Sequence, residues 1–213
     1  EAAVSAALAA GIVHIDTAAS YGNIDAVSKA LATFGSVWRA LHYGGHDQRT
    51  PFITSKVPAC DRPDLGMRLS RCTSDTEACI ARLLTQLKPA GLDLLLIHLP
   101  PGAPGGVGGG CSHAASCMLV QEQWRVLEAA YNAGRTRSIG VSNFDADCLR
   151  CVEANSSTSP MVHQIRMHPG LDLELLSKAQ TNGVRVQLHS VLVASPKDVL
   201  SSSVVPIQEQ GSS

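Results

Sequence analysis

The chain is predicted to be an α/β protein built on a parallel sheet. Three observations point there. Short apolar runs recur, each of strand length and each closing on an ionisable group: Gly11-Ile-Val-His-Ile15 ahead of Asp16, Phe52-Ile-Thr-Ser55 ahead of Lys56, and Leu92-Asp-Leu-Leu-Leu-Ile97 ahead of His98. Strands buried on both faces of a parallel sheet read as nearly continuous apolar stretches of this kind. Segments with apolar residues at helical spacing separate the runs, and no hairpin signal joins any two of them.

The elements follow in order. Glu1 to Ala10 is a helix pattern, then comes a strand over 11–15. A helix near Ile24 to Phe34 precedes the strand 52–56. Ser74 to Lys88 is helical, with Ile80, Leu83, Leu84 and Leu87 on one face, and the strand 92–97 follows. Leu119 to Asn132 is helical and stops at Ala133-Gly134, where glycine suits a helix C-terminus. A strand over 137–141, a helix over 145–154, a strand over 161–165, a helix over 171–180 and a strand over 184–188 complete the alternation. A doubly wound sheet and a barrel satisfy this pattern equally well. No GxGxxG follows any strand, which weakens the dinucleotide-binding version of the former.

Composition bounds the function. The 213 residues suffice for one large core and one globular domain, spanning 1–213. The net charge of -1 gives no electrostatic case for nucleic acid or an anionic membrane surface. Aromatics at 4% argue against a platform for stacked bases. No apolar run reaches the roughly 18 residues of a membrane span. Residue 1 is Glu and the chain opens inside a helical pattern, so the expectation is that the native N-terminus lies further upstream, with any targeting segment. The seven cysteines, at 60, 72, 79, 111, 117, 148 and 151, are odd in number and lack framework spacing. They read as reduced thiols of an intracellular, cytoplasmic protein. Cys148-Leu-Arg-Cys151 falls in the expected helix 145–154 with no second pair to complete a zinc site. His42 and His46 are separated by two glycines, which favours a loop over a helical chelate, and no metal site is expected. Two long connections stand out: Ser36 to Thr50, and Pro100 to Ser116, whose Pro-Pro-Gly-Ala-Pro-Gly-Gly-Val-Gly-Gly-Gly run reads as a flexible insertion without fixed secondary structure.

The strand-end groups suggest a chemistry. Asp16, Lys56 and His98 each terminate a strand, and Tyr21 follows Asp16 by five residues, just before a Gly-Asn turn. Reducing a carbonyl requires a hydride on carbon and a proton on oxygen. A phenol is protonated at neutral pH but donates reluctantly, and a nearby ammonium stabilises the phenolate that donation leaves. A carboxylate can hold that ammonium charged and oriented, and a neutral imidazole can donate one N–H to the substrate oxygen. Taken singly, His98 has an ordinary reading as a strand-end histidine and Asp16 as a cap or turn carboxylate. The four together read as a proton-donating site.

These segments resemble the aldo-keto reductase superfamily. Asp16 and Tyr21 stand in Asp-Thr-Ala-Ala-Ser-Tyr-Gly-Asn, Lys56 in Ile-Thr-Ser-Lys and His98 in Leu-Ile-His-Leu-Pro. Gly-Arg-Thr-Arg-Ser-Ile-Gly-Val-Ser-Asn-Phe (134–144) and His-Gln-Ile-Arg-Met-His-Pro (163–169) match two further family blocks in order. The likeness runs from about residue 4 to about residue 208. It implies a (β/α)8 barrel of which about six of the eight strands are present, with catalytic residues at the C-terminal strand ends. It implies Tyr21 as general acid, Lys56 and Asp16 as its tuning pair and His98 as the orienting group. No side chain supplies a hydride, and the resemblance implies that NADPH (NADP+) does. Its site residues map to Asp16, Ser142, Asn143, Gln164, His189, Ser190 and Leu192, and the partner is a small carbonyl compound, an aldehyde or ketone.

The sequence departs from the family pattern in two places. Where the family has a Tyr that stacks on the nicotinamide, this chain has His189, smaller and able to carry charge. The family's first hairpin and strand, and its later Lys-Ser and Arg block for the 2′-phosphate, are not found in the sequence. A second reading follows from these departures, a catalytically silent, reductase-derived binding or regulatory protein or a non-functional truncated fragment.

Overall fold

A computed structural model describes residues 1–41, 51–88, 90–102, 110–167 and 183–190. Helix α1 (Ala2–Ala9) leads into β1 (His14–Asp16). Then come α2 (Ile24–Leu41), β2 (Phe52–Val57), α3 (Cys72–Gln86), β3 (Leu94–Ile97), α4 (Ala114–Asn132), β4 (Ser138–Ser142), α5 (Ala146–Glu153), β5 (Val162–Arg166) and β6 (Arg185–His189). The six strands pair in parallel and stand in chain order from β1 to β6. A doubly wound sheet reverses its strand order at a switch point. This sheet has no reversal, so the ambiguity left by the element pattern resolves in favour of the barrel: six strands of a (β/α)8 wall.

Register places the side chains. Partners across a parallel ladder share a face, and neighbours along a strand alternate. The outer face, under the helices, carries Ile53, Val57, Leu95, Ile97, Ile139 and Val141, all fully buried. They pack with Ile80, Leu83 and Leu87 of the α3 region and with Val120, Trp124 and Leu127 of α4 in one apolar cluster. The inner face is different in kind. Asp16 aligns with Thr54, Lys56 with Leu96 and Gly140, and Ser142 with Gln164 and Gln187. The inner face is thus polar toward the C-terminal strand ends. Gly140 has no side chain for a steric reason. An added Cβ would lie 2.2 Å from the Val162 carbonyl oxygen and 2.9 Å from Leu96 Cδ2.

Helix ends follow local chemistry. Asp145 caps α5 by accepting from the Cys148 N–H at 2.8 Å. Gly134, at φ 67°, turns the chain after α4 as the Ala133-Gly134 signal predicts. Buried Glu128 of α4 accepts from the backbone N–H groups of Ser157 (2.7 Å) and Thr158 (2.6 Å), fixing the approach to β5.

Two helix bounds change, and several further expectations fall outside the described residues. Helix α2 runs to Leu41 rather than stopping near Phe34. Leu31, Phe34, Trp38 and Leu41 keep helical spacing across Gly35, and one interior glycine costs only about 1 kcal/mol. Helix α4 begins at Ala114, inside the stretch read as unstructured, because Ala114 and Ala115 favour helix. The expected helix 171–180, His42, His46, Leu192 and residues 103–109 of the glycine-rich run lie outside the described residues.

The cysteine reading is overturned. Six of the seven cysteines pair, as Cys60–Cys72, Cys111–Cys148 and Cys117–Cys151, with Cα separations of 5.1, 4.9 and 5.3 Å. Cys79 alone is free and buried. The Cys148/Cys151 pair does lie on a helix, as expected, but three residues apart both face one side. That side meets Cys111 and Cys117 at the start of α4. The pairing is set by contacts between elements far apart in sequence, which spacing does not show. The cytoplasmic expectation loses the support it drew from free thiols. Among the described residues no helix is long and apolar enough to cross a membrane, and no three His, Cys, Asp or Glu side chains group as metal ligands.

Candidate active site

The strand ends bring together the residues that the sequence singles out. Lys56, at the buried end of β2, forms an ion pair with Asp16 at the end of β1. The same ammonium lies 3.4 Å from the Tyr21 hydroxyl and 3.3 Å from the Thr17 carbonyl oxygen. With three acceptors around it, the lysine is satisfied despite a side chain only 3% exposed. Tyr21 rides on a short 3₁₀ turn, Ala19–Tyr21, closed by Gly22 at φ 65°, and is half exposed.

His98 follows β3 and stands edge-on to Tyr21, ring centroids 5.5 Å apart at 75°. Its backbone N–H donates to the Val57 carbonyl at 2.8 Å, and its own carbonyl accepts from Asn143 Nδ2 at 3.2 Å. Burial, reinforced by the Lys56 charge and opposed by Asp16, lowers its pKa to about 4. His98 is therefore neutral at pH 7.

A second polar row joins the first. Gln164 Nε2 donates to the other Asp16 oxygen at 2.6 Å, and Gln164 Oε1 accepts from Ser142 Oγ at 3.2 Å. Asn143 Nδ2 also donates to Ser142 Oγ at 3.0 Å, and Asn143 Oδ1 meets His189 Nε2 at 2.9 Å. His189 Nδ1 meets Ser190 Oγ at 3.1 Å. Asn143 and Ser190, just past β4 and β6, both adopt φ 59°. Non-glycine residues seldom hold this conformation, and such residues gather at functional sites. Burial and the Lys56 charge lower the His189 pKa as well.

All four expected catalytic residues and all the expected cofactor-site residues except Leu192 thus form one hydrogen-bonded rim on the described strands. Ser20 was not singled out, yet its hydroxyl lies 3.2 Å from His98 Nδ1. Its position, one residue before Tyr21 in a strand-end turn, was the available signal.

Comparison with known proteins agrees with this geometry. The model of the Aldo/keto reductase family matches residues 1–195. An aldo-keto reductase of Mycobacterium ulcerans is 38% identical over 195 residues, covering 92% of this chain and 56% of that protein. An uncharacterized oxidoreductase of Bacillus subtilis, YtbE, is 33% identical over 192 residues, covering 90% of this chain and 58% of that protein. Among solved structures, an aldo/keto reductase of Brucella melitensis superposes with a TM-score of 0.68 at 29% identity, covering 90% of this chain and 62% of that one. The Bombyx mori aldo-keto reductase AKR2E4 in complex with NADP gives 0.66 at 26%, covering 96% and 60%. The chain spans less than two thirds of the length of these relatives. With the match running through all six strands and every block of the rim described above, the chain belongs to the aldo/keto reductase family.

Proposed function

We propose that this chain carries the catalytic site of an NADPH-dependent oxidoreductase that reduces aldehydes or ketones to alcohols. One observation carries the reading. A single buried ammonium, Lys56, touches both a carboxylate, Asp16, and a phenol, Tyr21, with a neutral imidazole set edge-on to that phenol.

The donor set suits a nicotinamide carboxamide. Ser142, Asn143 and Gln164 offer hydroxyl and amide groups that both donate and accept, on adjacent strands above Asp16. Asn143 Oδ1 already meets His189, but a carbonyl oxygen has a second lone pair to share. Bound NADPH would supply the hydride, which no side chain can. The chain's own residues do the rest. Tyr21 gives its proton to the carbonyl oxygen. Lys56, 3.4 Å from the phenol oxygen, stabilises the phenolate that remains. Asp16 keeps Lys56 in place, and Gln164 keeps Asp16 in place. His98 donates a hydrogen bond to the same carbonyl oxygen and orients it.

Tyr21→Phe tests the assignment, because it keeps the ring and deletes the proton donor. Consumption of NADPH with a simple aldehyde should fall roughly 10²–10⁴-fold, while NADPH binding, read by fluorescence, persists. Unimpaired turnover would remove Tyr21 from the role. A wild-type chain that binds NADPH but turns over no carbonyl compound would favour the silent binding protein instead.

A further inference from the structure

Ser20 lies outside the four expected catalytic residues but meets one of them, His98, through a hydroxyl 3.2 Å from Nδ1. We propose that Ser20 is a positioning residue that sets the tautomer of His98: its hydroxyl donates to Nδ1, so that the ring's one proton sits on Nε2 and faces the substrate oxygen. The inference rests on the reductase reading above and adds a residue to it.

The ring has little other freedom. Its backbone is pinned on both sides, by the Val57 carbonyl at 2.8 Å and by Asn143 Nδ2 at 3.2 Å. Its face is fixed by the edge contact with Tyr21. What the packing leaves open is where the proton resides. With the pKa held to about 4, charge is not the variable at pH 7; the tautomer is. Which imidazole nitrogen bears the proton is decided by the hydrogen bond made by the other. A carbonyl oxygen only accepts, so the nitrogen facing it must be the protonated one. The opposite tautomer would aim a lone pair at that oxygen. A serine hydroxyl can donate or accept, and here donation is the role that leaves Nε2–H free for the substrate.

Local structure ties this to the general acid. Ser20 and Tyr21 are consecutive on the Ala19–Tyr21 turn, held by the Tyr21 N–H to Ala18 carbonyl bond at 3.1 Å and by the left-handed Gly22. One turn therefore sends a hydroxyl to His98 and a phenol to Lys56. Ala at position 20 keeps the turn and removes only the donor. Thr keeps the donor.

The test is NMR of isotope-labelled imidazole nitrogens in the full chain, with His98→Gln to assign the resonance, beside steady-state kinetics. The expected result has three parts. Wild type shows His98 protonated on Nε2. Ser20→Ala shifts its nitrogens toward a tautomer mixture and lowers kcat roughly two- to tenfold, with NADPH affinity unchanged, as fits one lost hydrogen bond. Ser20→Thr restores both readouts. Nitrogen shifts unchanged in Ser20→Ala, or a wild-type His98 protonated on Nδ1, would overturn the proposal. An Nε2–H signal that depends on Ser20 in a chain with no carbonyl turnover would support Ser20's control of the tautomer and sink the reductase reading alone.

Discussion

Replacing Asp16 by Asn removes the anion beside a lysine that is almost wholly buried. The side chain of Lys56 is 3% exposed and that of Asp16 29%. Breaking a fully buried pair by deleting one partner costs about 3–5 kcal/mol, because the remaining charge is left uncompensated. Water reaching Asp16 reduces this, to about 2–4 kcal/mol. Asn does not substitute by hydrogen bonding. Asp16 accepts from two donors, Lys56 at one oxygen and Gln164 Nε2 at the other. An amide has one oxygen, so its NH₂ must face one of those donors. For a chain of this size the loss corresponds to a fall in Tm of about 5–15 °C. Circular dichroism melts in buffers of equal ionic strength read it directly. The double variant Asp16→Asn, Lys56→Met removes the stranded cation and should recover at least half of the loss. A melt of Asp16→Asn within about 1 °C of wild type, or a double variant whose loss equals the sum of the two single losses, would refute the claim that a desolvated ion pair organises the site.

Acid should weaken the fold before it touches most carboxylates. Burial lowers both His98 and His163 to about 4, against about 6.5 in an unfolded chain, so below pH 6.5 the unfolded state binds protons that the native state refuses. Stability then falls with pH between about 6.5 and 4, by up to about 3 kcal/mol per histidine, and His163→Leu should flatten part of the slope in urea melts at stepped pH. Thiol titration of the denatured chain should count the one free cysteine before reduction and all seven after it. Removing the Cys111–Cys148 bridge, whose ends are 37 residues apart, by the double variant Cys111→Ser, Cys148→Ser should cost about 4 kcal/mol on loop-closure grounds, and an unchanged Tm in that variant would refute the contribution assigned to the bridge.

How much of this was legible in the sequence depends on the range of the interaction involved. Strand positions were legible because each buried strand needs a continuous apolar run: Leu94–Ile97 is buried on both faces and reads so in sequence. Asp16, Lys56 and His98 were legible because each closes such a run, whereas Ser142, Asn143, Gln164, His189 and Ser190 were legible only through the family blocks. The barrel was legible only through the family blocks, since strand order is a long-range property that local periodicity does not encode. The cysteine pairs stayed hidden for the same reason. Cys117 meets Cys151 across the α4–α5 contact, and nothing between residues 117 and 151 announces it. The Ser20–His98 bond spans 78 residues and likewise needs the folded sheet.

The direction of the hydrogen bonds in the upper rim follows from one group that can only accept. The His98 carbonyl takes a hydrogen bond from Asn143, so the side chain of Asn143 must turn its nitrogen there and its oxygen to His189. His189 must then donate from Nε2, which in a neutral ring leaves Nδ1 to accept from the Ser190 hydroxyl. Burial and the Lys56 charge favour that neutral ring. The ring at the position where the family carries a stacking tyrosine is thus held in one tautomer by the backbone of the residue proposed to orient the carbonyl. Asn143 suits the junction twice over. Its amide is the link between the two histidines, and asparagine tolerates the left-handed backbone that aims it, φ 59°. An aspartate at position 143 could accept from His189 but would set a carboxylate against the His98 carbonyl, acceptor against acceptor. The two histidines are therefore oriented as one unit, with His98 tied at its ring by Ser20 and at its carbonyl by Asn143.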